Sequence, residues 1–241
     1  MFKKVIACLL VIFMLCSSSV SISAKEFHSR YNKGEMVYLT FDDGPNQYTP
    51  KLLDVLKRYD VKATFFILGK KIKGNEAILQ RIVDEGHTIG LHSMTHDKKT
   101  FYRSPQTAVN EMKQVQQLIF DITGVKSTTI RVPYGSVPHM TKAHRQAMEK
   151  AGFDMWDWNV DTLDWKYKKD QKTMRYQTIK QVRAHRAYYQ ASIVLMHDHA
   201  TSPESLSYML RHLTREKFLF LTTDQAKKPY HFYNKWYGTS H

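Results

Sequence analysis

Two adjacent carboxylates, Asp42 and Asp43, stand at the end of an apolar stretch and are followed directly by Gly44 and Pro45. The apolar stretch over 36–41 predicts a strand that the Gly-Pro pair stops. Successive side chains on a strand point in opposite directions, so the two carboxylates can take different roles. Two ionised neighbours repel each other unless a cation lies nearby. An isolated Asp-Asp-Gly is usually a solvated turn, so the case for a site depends on the later motifs.

Two histidines four residues apart, His92 and His96, provide imidazole rings that can face one point. With one carboxylate they form a two-histidine, one-aspartate set that suits Zn²⁺ and leaves positions for water and substrate. A lone His-x-x-x-His is weak support, but this pair also follows a predicted strand. We therefore assign Asp43 to the metal and Asp42 to the role of general base. Zinc is the expected ion, with Co²⁺, Ni²⁺ or Mn²⁺ as alternatives.

Further polar residues supply a cation and a general acid. Arg131 offers a planar fork that could hold Asp42 as a carboxylate, and a surface ion pair is the plain alternative. His197 ends an apolar strand and is the candidate general acid, although a histidine there is more often a satisfied core residue. A carboxylate close by would raise the pKa of His197, and both Asp164 and Asp161 could supply it.

A constrained turn at Pro133, Tyr134 and Gly135 could offer a backbone N–H to an oxyanion. Trp165 and Leu195 could form an apolar slot the size of a methyl group. The polar residues that flank the motifs are interpreted as supporting or solvent-exposed residues; they are Asp97, Asp198 and His199.

Strands and helices alternate along the whole chain, and the polar segments follow strands. The predicted strands cover 36–41, 61–68, 88–91, 128–132, 153–160, 192–196 and 218–222. The predicted helices cover 50–59, 76–85 with Asn75 as cap, 105–123, 142–150 with Thr141 as cap, 173–189, and one that opens at Ser202-Pro203. Such alternation predicts an α/β fold with a parallel sheet, and this number of repeats favours a distorted (β/α)7–8 barrel. Active sites gather at the carboxyl rim of such barrels.

The first 24 residues have the layout of a secretory signal peptide: a lysine pair, an apolar run over 5–15, and small residues leading to Ala24. The run is shorter than the ~20 residues that span a bilayer, so a retained anchor is the weaker alternative. Cys16 suggests lipidation, but the bulky Leu15 before it argues against that. We expect a secreted or cell-wall-associated bacterial protein with no stable membrane span after cleavage.

The expected organisation is a signal peptide over 1–24, an arm over 25–34, a catalytic domain over 35–226 and a tail over 227–241. Both cysteines fall in the signal peptide, so the mature chain would have no disulfide. A formal net charge of +14 suits an anionic surface such as a bacterial wall. The basic residues are scattered and no nucleic-acid motif occurs, which argues against a nucleic-acid partner. We expect a monomer.

Five ordered motifs resemble those of the polysaccharide deacetylases, the carbohydrate esterase family 4 or NodB-homology domain. They are Thr40-Phe41-Asp42-Asp43-Gly44-Pro45, His92-Ser93-x-x-His96, Arg131-x-Pro133-Tyr134-Gly135, Asp161-x-x-Asp164-Trp165 and Ile193-Val194-Leu195-Met196-His197. The resemblance covers roughly 35–224. It implies a distorted (β/α) barrel and one divalent metal, usually zinc. It also implies these roles: metal ligands Asp43, His92 and His96, base Asp42, acid His197, oxyanion donor the Tyr134 N–H, and Asp164 as the residue that tunes His197.

The implied activity is hydrolysis of N-acetyl groups on an N-acetylglucosamine polymer. Peptidoglycan is the expected polymer, because a small secreted basic protein meets the cell wall first. Chitin oligosaccharide, poly-N-acetylglucosamine and O-acetyl xylan are alternatives, and loops over 136–140 and 166–172 are candidates for telling them apart. The alternative of another class is a non-catalytic glycan- or wall-binding protein with Trp156, Trp158 and the aromatic tail over 230–237 as platforms, although that tail is better interpreted as a strap docked on the barrel.

Overall fold

The computed structural model describes residues 26, 29–30, 32–226 and 228–233. The predicted signal peptide, both cysteines and the end of the tail over 234–241 lie outside these residues. Within the described part, no helix has the length and apolar character needed to cross a membrane. The proposed domain boundaries stay predictions.

The strands form one curled parallel sheet. They are β1 (Met36–Gly44), β2 (Thr64–Ile67), β3 (Thr88–Leu91), β4 (Thr129–Ile130), β5 (Asp154–Met155), β6 (Val160–Asp161), β7 (Ser192–His197) and β8 (Leu219–Leu221). The order is β5-β4-β3-β2-β1-β7-β6, and β8 pairs with the first residues of β1. The pairings are parallel, so the carboxyl ends meet on one rim. The predicted distorted barrel is confirmed as a half-barrel of seven strands in order, joined at β1 by β8, with helices packed against it.

The helices pack into the same core as the strands. They are α1 (Thr49–Arg58), α2 (Glu76–Asp84), α3 (Lys98–Phe101), α4 (Pro105–Thr123), α5 (Lys142–Lys150), α6 (Gln171–Ala187) and α7 (Pro203–Arg215). Local residues set several ends: the Ser104 and Thr141 side chains cap α4 and α5, and Gly124 ends α4 with φ 72°. Asn75 precedes α2 as predicted, but its side chain donates to the Lys71 carbonyl instead of capping the helix.

Strand β1 lies at the centre of the sheet, because it pairs with β2, β7 and β8. Its side chains are buried along almost the whole length, and Phe41 stacks on Phe65 with ring centroids 5.0 Å apart. Dense packing of this kind leaves little freedom to the residues at the end of the strand. The two carboxylates Asp42 and Asp43 are thus carried by the most firmly held strand of the sheet.

The strand predicted over 153–160 is wrong in its middle. The structure has the two short strands β5 and β6, with 156–159 outside the ladder. The carbonyls of Trp156 and Asp157 accept hydrogen bonds from the Arg131 guanidinium, at 3.2 and 3.1 Å. A fully buried guanidinium needs acceptors for its five N–H groups, and this segment turns two carbonyls toward it. The tryptophans of the segment indicate burial, but they cannot show that its carbonyls are needed as acceptors for Arg131.

Candidate active site

Five motif residues around the carboxyl rim have the left-handed backbone conformation, which non-glycine residues rarely adopt. They are Asp43 (φ 70°), Ser93 (73°), His96 (55°), Tyr134 (63°) and Leu163 (52°). Each such residue costs of the order of 1–3 kcal/mol and persists only where its surroundings fix it. Their clustering at one rim marks that rim as the candidate functional site.

Asp43, His92 and His96 converge on one point, as their assignment to a metal requires. The Asp43 Oδ1 atom lies 3.6 Å from Nε2 of His92 and 3.6 Å from Nε2 of His96. One ligand atom from each residue falls within 4.8 Å of the others. Asp43 Oδ1 is buried and has no hydrogen-bond partner within the described residues. A buried oxygen without a partner is costly, and a divalent cation would satisfy it, so the three residues fit a metal ion.

The protonation of these residues also suits metal binding. Nδ1 of His92 lies 2.7 Å from the Arg131 carbonyl, so it carries the proton and leaves the Nε2 lone pair toward the site. Burial and the neighbouring His92 lower the pKa of His96 to about 4, which keeps its ring neutral. Burial alone would raise the pKa of Asp43, but the nearby His92, His96 and His197 and Lys71 outweigh it and the pKa is lowered.

Two residues outside the motifs hold the backbone of this cluster. Glu111 of α4 is 5% exposed, and its Oε2 accepts from the Met94 and Thr95 amides at 3.0 Å each. The Lys71 ammonium donates to the Asp43 carbonyl at 2.8 Å. Sequence reasoning missed both residues. A signal existed only for Glu111, which is a charged residue on the apolar stripe of α4.

Asp42, the predicted general base, is held by Arg131. Nη1 of Arg131 donates to Asp42 Oδ1 at 2.9 Å and to Thr40 Oγ1 at 2.6 Å. Arg131 is fully buried, and its guanidinium lies 4.3 Å from the centre of the Phe66 ring. The alternative of a surface ion pair is therefore wrong. The second Asp42 oxygen, Oδ2, lies 3.7 Å from His92 Nε2, which places it beside the three predicted metal ligands.

His197, the predicted acid, pairs with Asp164 rather than with Asp161. The His197 Nδ1 atom is 2.7 Å from Asp164 Oδ1, and the buried Asp164 also accepts from the His197 amide and the Thr201 hydroxyl at 2.7 Å each. Asp161 accepts from the Leu163 amide instead. Burial by itself would lower the pKa of His197, but the hydrogen bond and charge of Asp164 raise it to about 9. His197 is thus protonated at neutral pH.

The predicted oxyanion turn and the two residues of the predicted apolar slot lie around the same rim. Tyr134 is 53% exposed, and its ring centre lies 4.7 Å from that of His96. Pro133 and Gly135 are buried on either side of it. Trp165 is exposed and Leu195 buried, and the methyl-sized slot assigned to them stays a prediction.

Three interpretations of other residues need comment. Asp198 is buried rather than solvent-exposed; it accepts from the Thr49 hydroxyl, and burial raises its pKa to about 7. Asp97 caps α3, and His199 is exposed beside His197. Trp156 is 3% exposed and packs on Tyr38, so it is not a platform for a glycan.

Known proteins resemble this chain in both sequence and fold. The sequence profile of the polysaccharide deacetylase family matches residues 29–156. The chain is 40% identical over 195 residues to a peptidoglycan-N-acetylglucosamine deacetylase of Bacillus cereus, covering 80% of this chain and 71% of that protein. The chain belongs to the polysaccharide deacetylase family. As a member it is an enzyme, and the predicted family resemblance is confirmed.

Two further comparisons place this deacetylase among its relatives. It is 39% identical over 191 residues to the peptidoglycan-N-acetylglucosamine deacetylase PgdA of Listeria monocytogenes, covering 78% of this chain but 38% of that longer protein. The crystal structure of the polysaccharide deacetylase Bc1974 from Bacillus cereus superposes with a TM-score of 0.72 at 36% identity, covering 82% of this chain and 97% of that one. The half-barrel is therefore the fold of the family.

Proposed function

We propose that this deacetylase removes N-acetyl groups from the N-acetylglucosamine units of peptidoglycan, with one divalent metal ion, zinc by preference, held by Asp43, His92 and His96. The observation that carries the proposal is the buried, partnerless Asp43 Oδ1 at 3.6 Å from two imidazole nitrogens. The Asp42–Arg131 pair supports it as a base beside that cluster. The names of the relatives from Bacillus cereus and Listeria monocytogenes support the choice of polymer.

The chain's own residues then divide the reaction among them. When bound, the metal would polarise the acetyl carbonyl and lower the pKa of a water molecule. Asp42, oriented by Arg131, accepts the proton of the attacking water. The backbone N–H of Tyr134 donates to the oxygen that becomes negative as the carbonyl carbon turns tetrahedral. His197, protonated because of Asp164, passes its proton to the departing amine nitrogen. The products are acetate and a glucosamine unit.

The proposed setting is the bacterial exterior. A signal peptide over 1–24 supports secretion, and the formal net charge of +14, which falls by the two lysines of that peptide to 14 − 2 = +12, suits an anionic wall. We propose that the secreted chain is a monomer. The segment 166–172 carries four lysines, and most of its residues are exposed at the rim next to Trp165. We propose it as the loop that contacts the polymer. The segment 136–140 contributes less, because Ser136 and Met140 at its two ends are buried.

The polymer is tested by measuring acetate release from purified peptidoglycan, chitin oligomers, poly-N-acetylglucosamine and O-acetyl xylan under identical conditions. We expect the highest kcat/KM on peptidoglycan, with loss of acetyl groups from its glucosamine units by mass spectrometry of the muropeptides. Faster release from any of the other three would reassign the substrate while leaving the chemistry intact.

The binding-protein alternative is tested by the same assay. A binding protein would release no acetate from any polymer. Its binding to the wall would also persist after removal of the metal. The burial of Trp156 already removes one of its platforms. The other platform, Trp158, has its ring 4.8 Å from that of Phe232, which covers one side of it.

A further inference from the structure

Asp157 is a fully buried carboxylate that no predicted motif contains, and it joins two distant parts of the chain. Its Oδ1 accepts from the Ser136 amide at 2.9 Å, and its Oδ2 accepts from the Ser136 hydroxyl at 2.5 Å and from the Phe232 amide at 2.8 Å. The Asp157 amide in turn donates to the Tyr230 carbonyl at 2.8 Å. One side chain therefore ties the turn at 133–136 to the carboxy-terminal segment over 230–232.

The Phe232 ring adds a steric contact to this tie. It meets Trp158 edge to face, with ring centroids 4.8 Å apart and planes at 73°. A Cβ atom on Gly135 would lie 2.9 Å from Phe232, closer than real Cβ contacts, and 3.0 Å from Trp158, tighter than most of them. Gly135 also has φ 79°, a conformation that favours glycine. The two rings therefore lie so close to the backbone of the turn that they leave no room for a side chain at Gly135.

A third anchor holds the turn from its other side. The Tyr102 hydroxyl lies within hydrogen-bond distance of the Pro133 carbonyl, at 2.6 Å, and of the Gly135 carbonyl, at 3.2 Å. Tyr134 stands between these anchors with φ 63°, and its side chain is 53% exposed. Its ring packs on His96 and its hydroxyl donates to the His96 carbonyl at 3.4 Å rather than to the turn, so the conformation of its amide depends on the residues on either side.

We propose that Asp157 and Phe232 are positioning residues, which fix the turn at 133–136 so that the Tyr134 N–H points at the reacting carbonyl. This rests on the proposed function, in which that amide stabilises the oxyanion. Within the described residues, the side-chain hydrogen bonds of Asp157 go to Ser136 and Phe232, and the Phe232 ring contacts Trp158 and Tyr230. The Asp157 carbonyl also accepts from Arg131, which a change of the Asp157 side chain leaves in place, and none of these contacts is to a predicted metal ligand. The carboxy-terminal segment is thus part of the catalytic apparatus rather than a trailing end.

The proposal has a distinctive kinetic signature. An oxyanion donor interacts with charge that develops only in the transition state, so its misplacement lowers kcat while substrate binding is kept. A displacement of about 1 Å at such a position can cost on the order of 100-fold in rate. A purely structural strap would instead lower the melting temperature without changing kcat below the transition.

The test uses the full chain with Phe232→Ala and Asp157→Asn, assayed on peptidoglycan well below their melting temperatures. We expect kcat to fall at least tenfold in both, with KM and the dissociation constant for Zn²⁺ within about twofold of wild type. Phe232→Tyr keeps the ring and should restore most of the rate. Leu213→Ala is the matched destabilised control, because it opens the core at α7 far along the chain from the turn, and it should keep kcat.

Amide hydrogen exchange gives a second readout that does not need activity. The Ser136 amide should exchange at least tenfold faster in Phe232→Ala than in wild type, while amides of β7 stay protected. Unchanged exchange, or a kcat of Phe232→Ala within twofold of wild type, would overturn the proposal, as would a loss confined to KM or to metal affinity. If wild type released no acetate from any polymer, the proposed function would fail, and the exchange of Ser136 would still decide whether the segment holds the turn.

Discussion

Asp42 and Asp43 are neighbours in the chain but have different surroundings. Asp42 is 3% exposed and its Oδ1 faces Arg131, whereas Asp43 takes a positive φ and directs Oδ1 to two histidines. A strand alone would point the two side chains apart, and the left-handed turn at Asp43 completes the separation. This difference in surroundings suits the two roles we propose, with Asp43 as a ligand of the cation and Asp42 as the acceptor of a proton.

Replacing Asp42 by Asn tests this separation of roles. The amide keeps the size of the side chain but cannot accept the proton, so kcat should fall by about 10²–10⁴-fold. Zinc stoichiometry should stay at one ion per chain, since Asp42 is not a ligand. Asp121→Asn, an exposed change on α4, should keep wild-type kcat. Loss of zinc from Asp42→Asn would show that the two carboxylates have been assigned the wrong way round.

Replacing Asp164 by Asn tests the state of His197 in the metal-free protein. The change replaces a charged acceptor by a neutral amide and removes the negative charge that helps to raise the pKa of His197 to about 9, so NMR titration should show this pKa falling toward its ordinary value of 6.5. Because the pKa is raised by folding, the pair stabilises the protein fully below pH 6.5 and loses this effect as pH rises through about 9. The variant should therefore be more destabilised at pH 6 than at pH 10. An unchanged His197 pKa would contradict this account.

At the scale of elements, the break between β5 and β6 supplies two hydrogen-bond acceptors to Arg131. Two carbonyls from that segment, together with Thr40 and Asp42, satisfy a guanidinium that no water reaches. A buried cation that loses its partners destabilises a protein strongly. The irregular segment thus helps to hold the Arg131 side chain that orients Asp42.

Arg131→Lys keeps the charge but cannot form the planar fork. We expect the free energy of unfolding in urea to fall by about 3–5 kcal/mol, because one ammonium cannot reach all four acceptors of the guanidinium and leaves some of these buried groups without a donor. Arg183→Lys is the matched control: that arginine pairs with Glu216 at the surface, and the change should cost less than about 1 kcal/mol. Equal stability of the two variants would refute the role given to the segment.

Helix α4 contacts the loop between the two predicted histidine ligands through Glu111. Glu111→Gln exchanges a charged acceptor of two amides for a neutral one, so the loop that carries His96 should loosen. We expect the dissociation constant for Zn²⁺ to rise by up to the ~10–100-fold that is typical of losing a direct partner of a metal ligand, because Glu111 acts one step further out, through the backbone between the two histidines. Glu204→Gln, exposed in the first turn of α7, should change it by less than twofold. A chelator competition titration distinguishes the two outcomes.

For the molecule as a whole, the sequence predicted what depends on neighbours in the chain. Pro105, Gly124 and Thr141 mark the helix ends, and alternation of strands and helices indicates the barrel. The motif residues converge because parallel strands end at one rim. Contacts between distant segments were not predictable: Glu111 gives only a charge on an apolar stripe, and Asp157 reaches Phe232 across 75 positions. No local spacing encodes such partners.

Removal and return of the metal tests the central claim most directly. Wild-type protein stripped with a chelator should release no acetate from peptidoglycan, and addition of one equivalent of Zn²⁺ per chain should restore the rate. Asp43→Ala should bind zinc far more weakly and stay inactive after the same addition, because it lacks the oxygen that faces both imidazoles. Undiminished acetate release by the metal-free wild type, or full zinc-dependent activity in Asp43→Ala, would contradict the account.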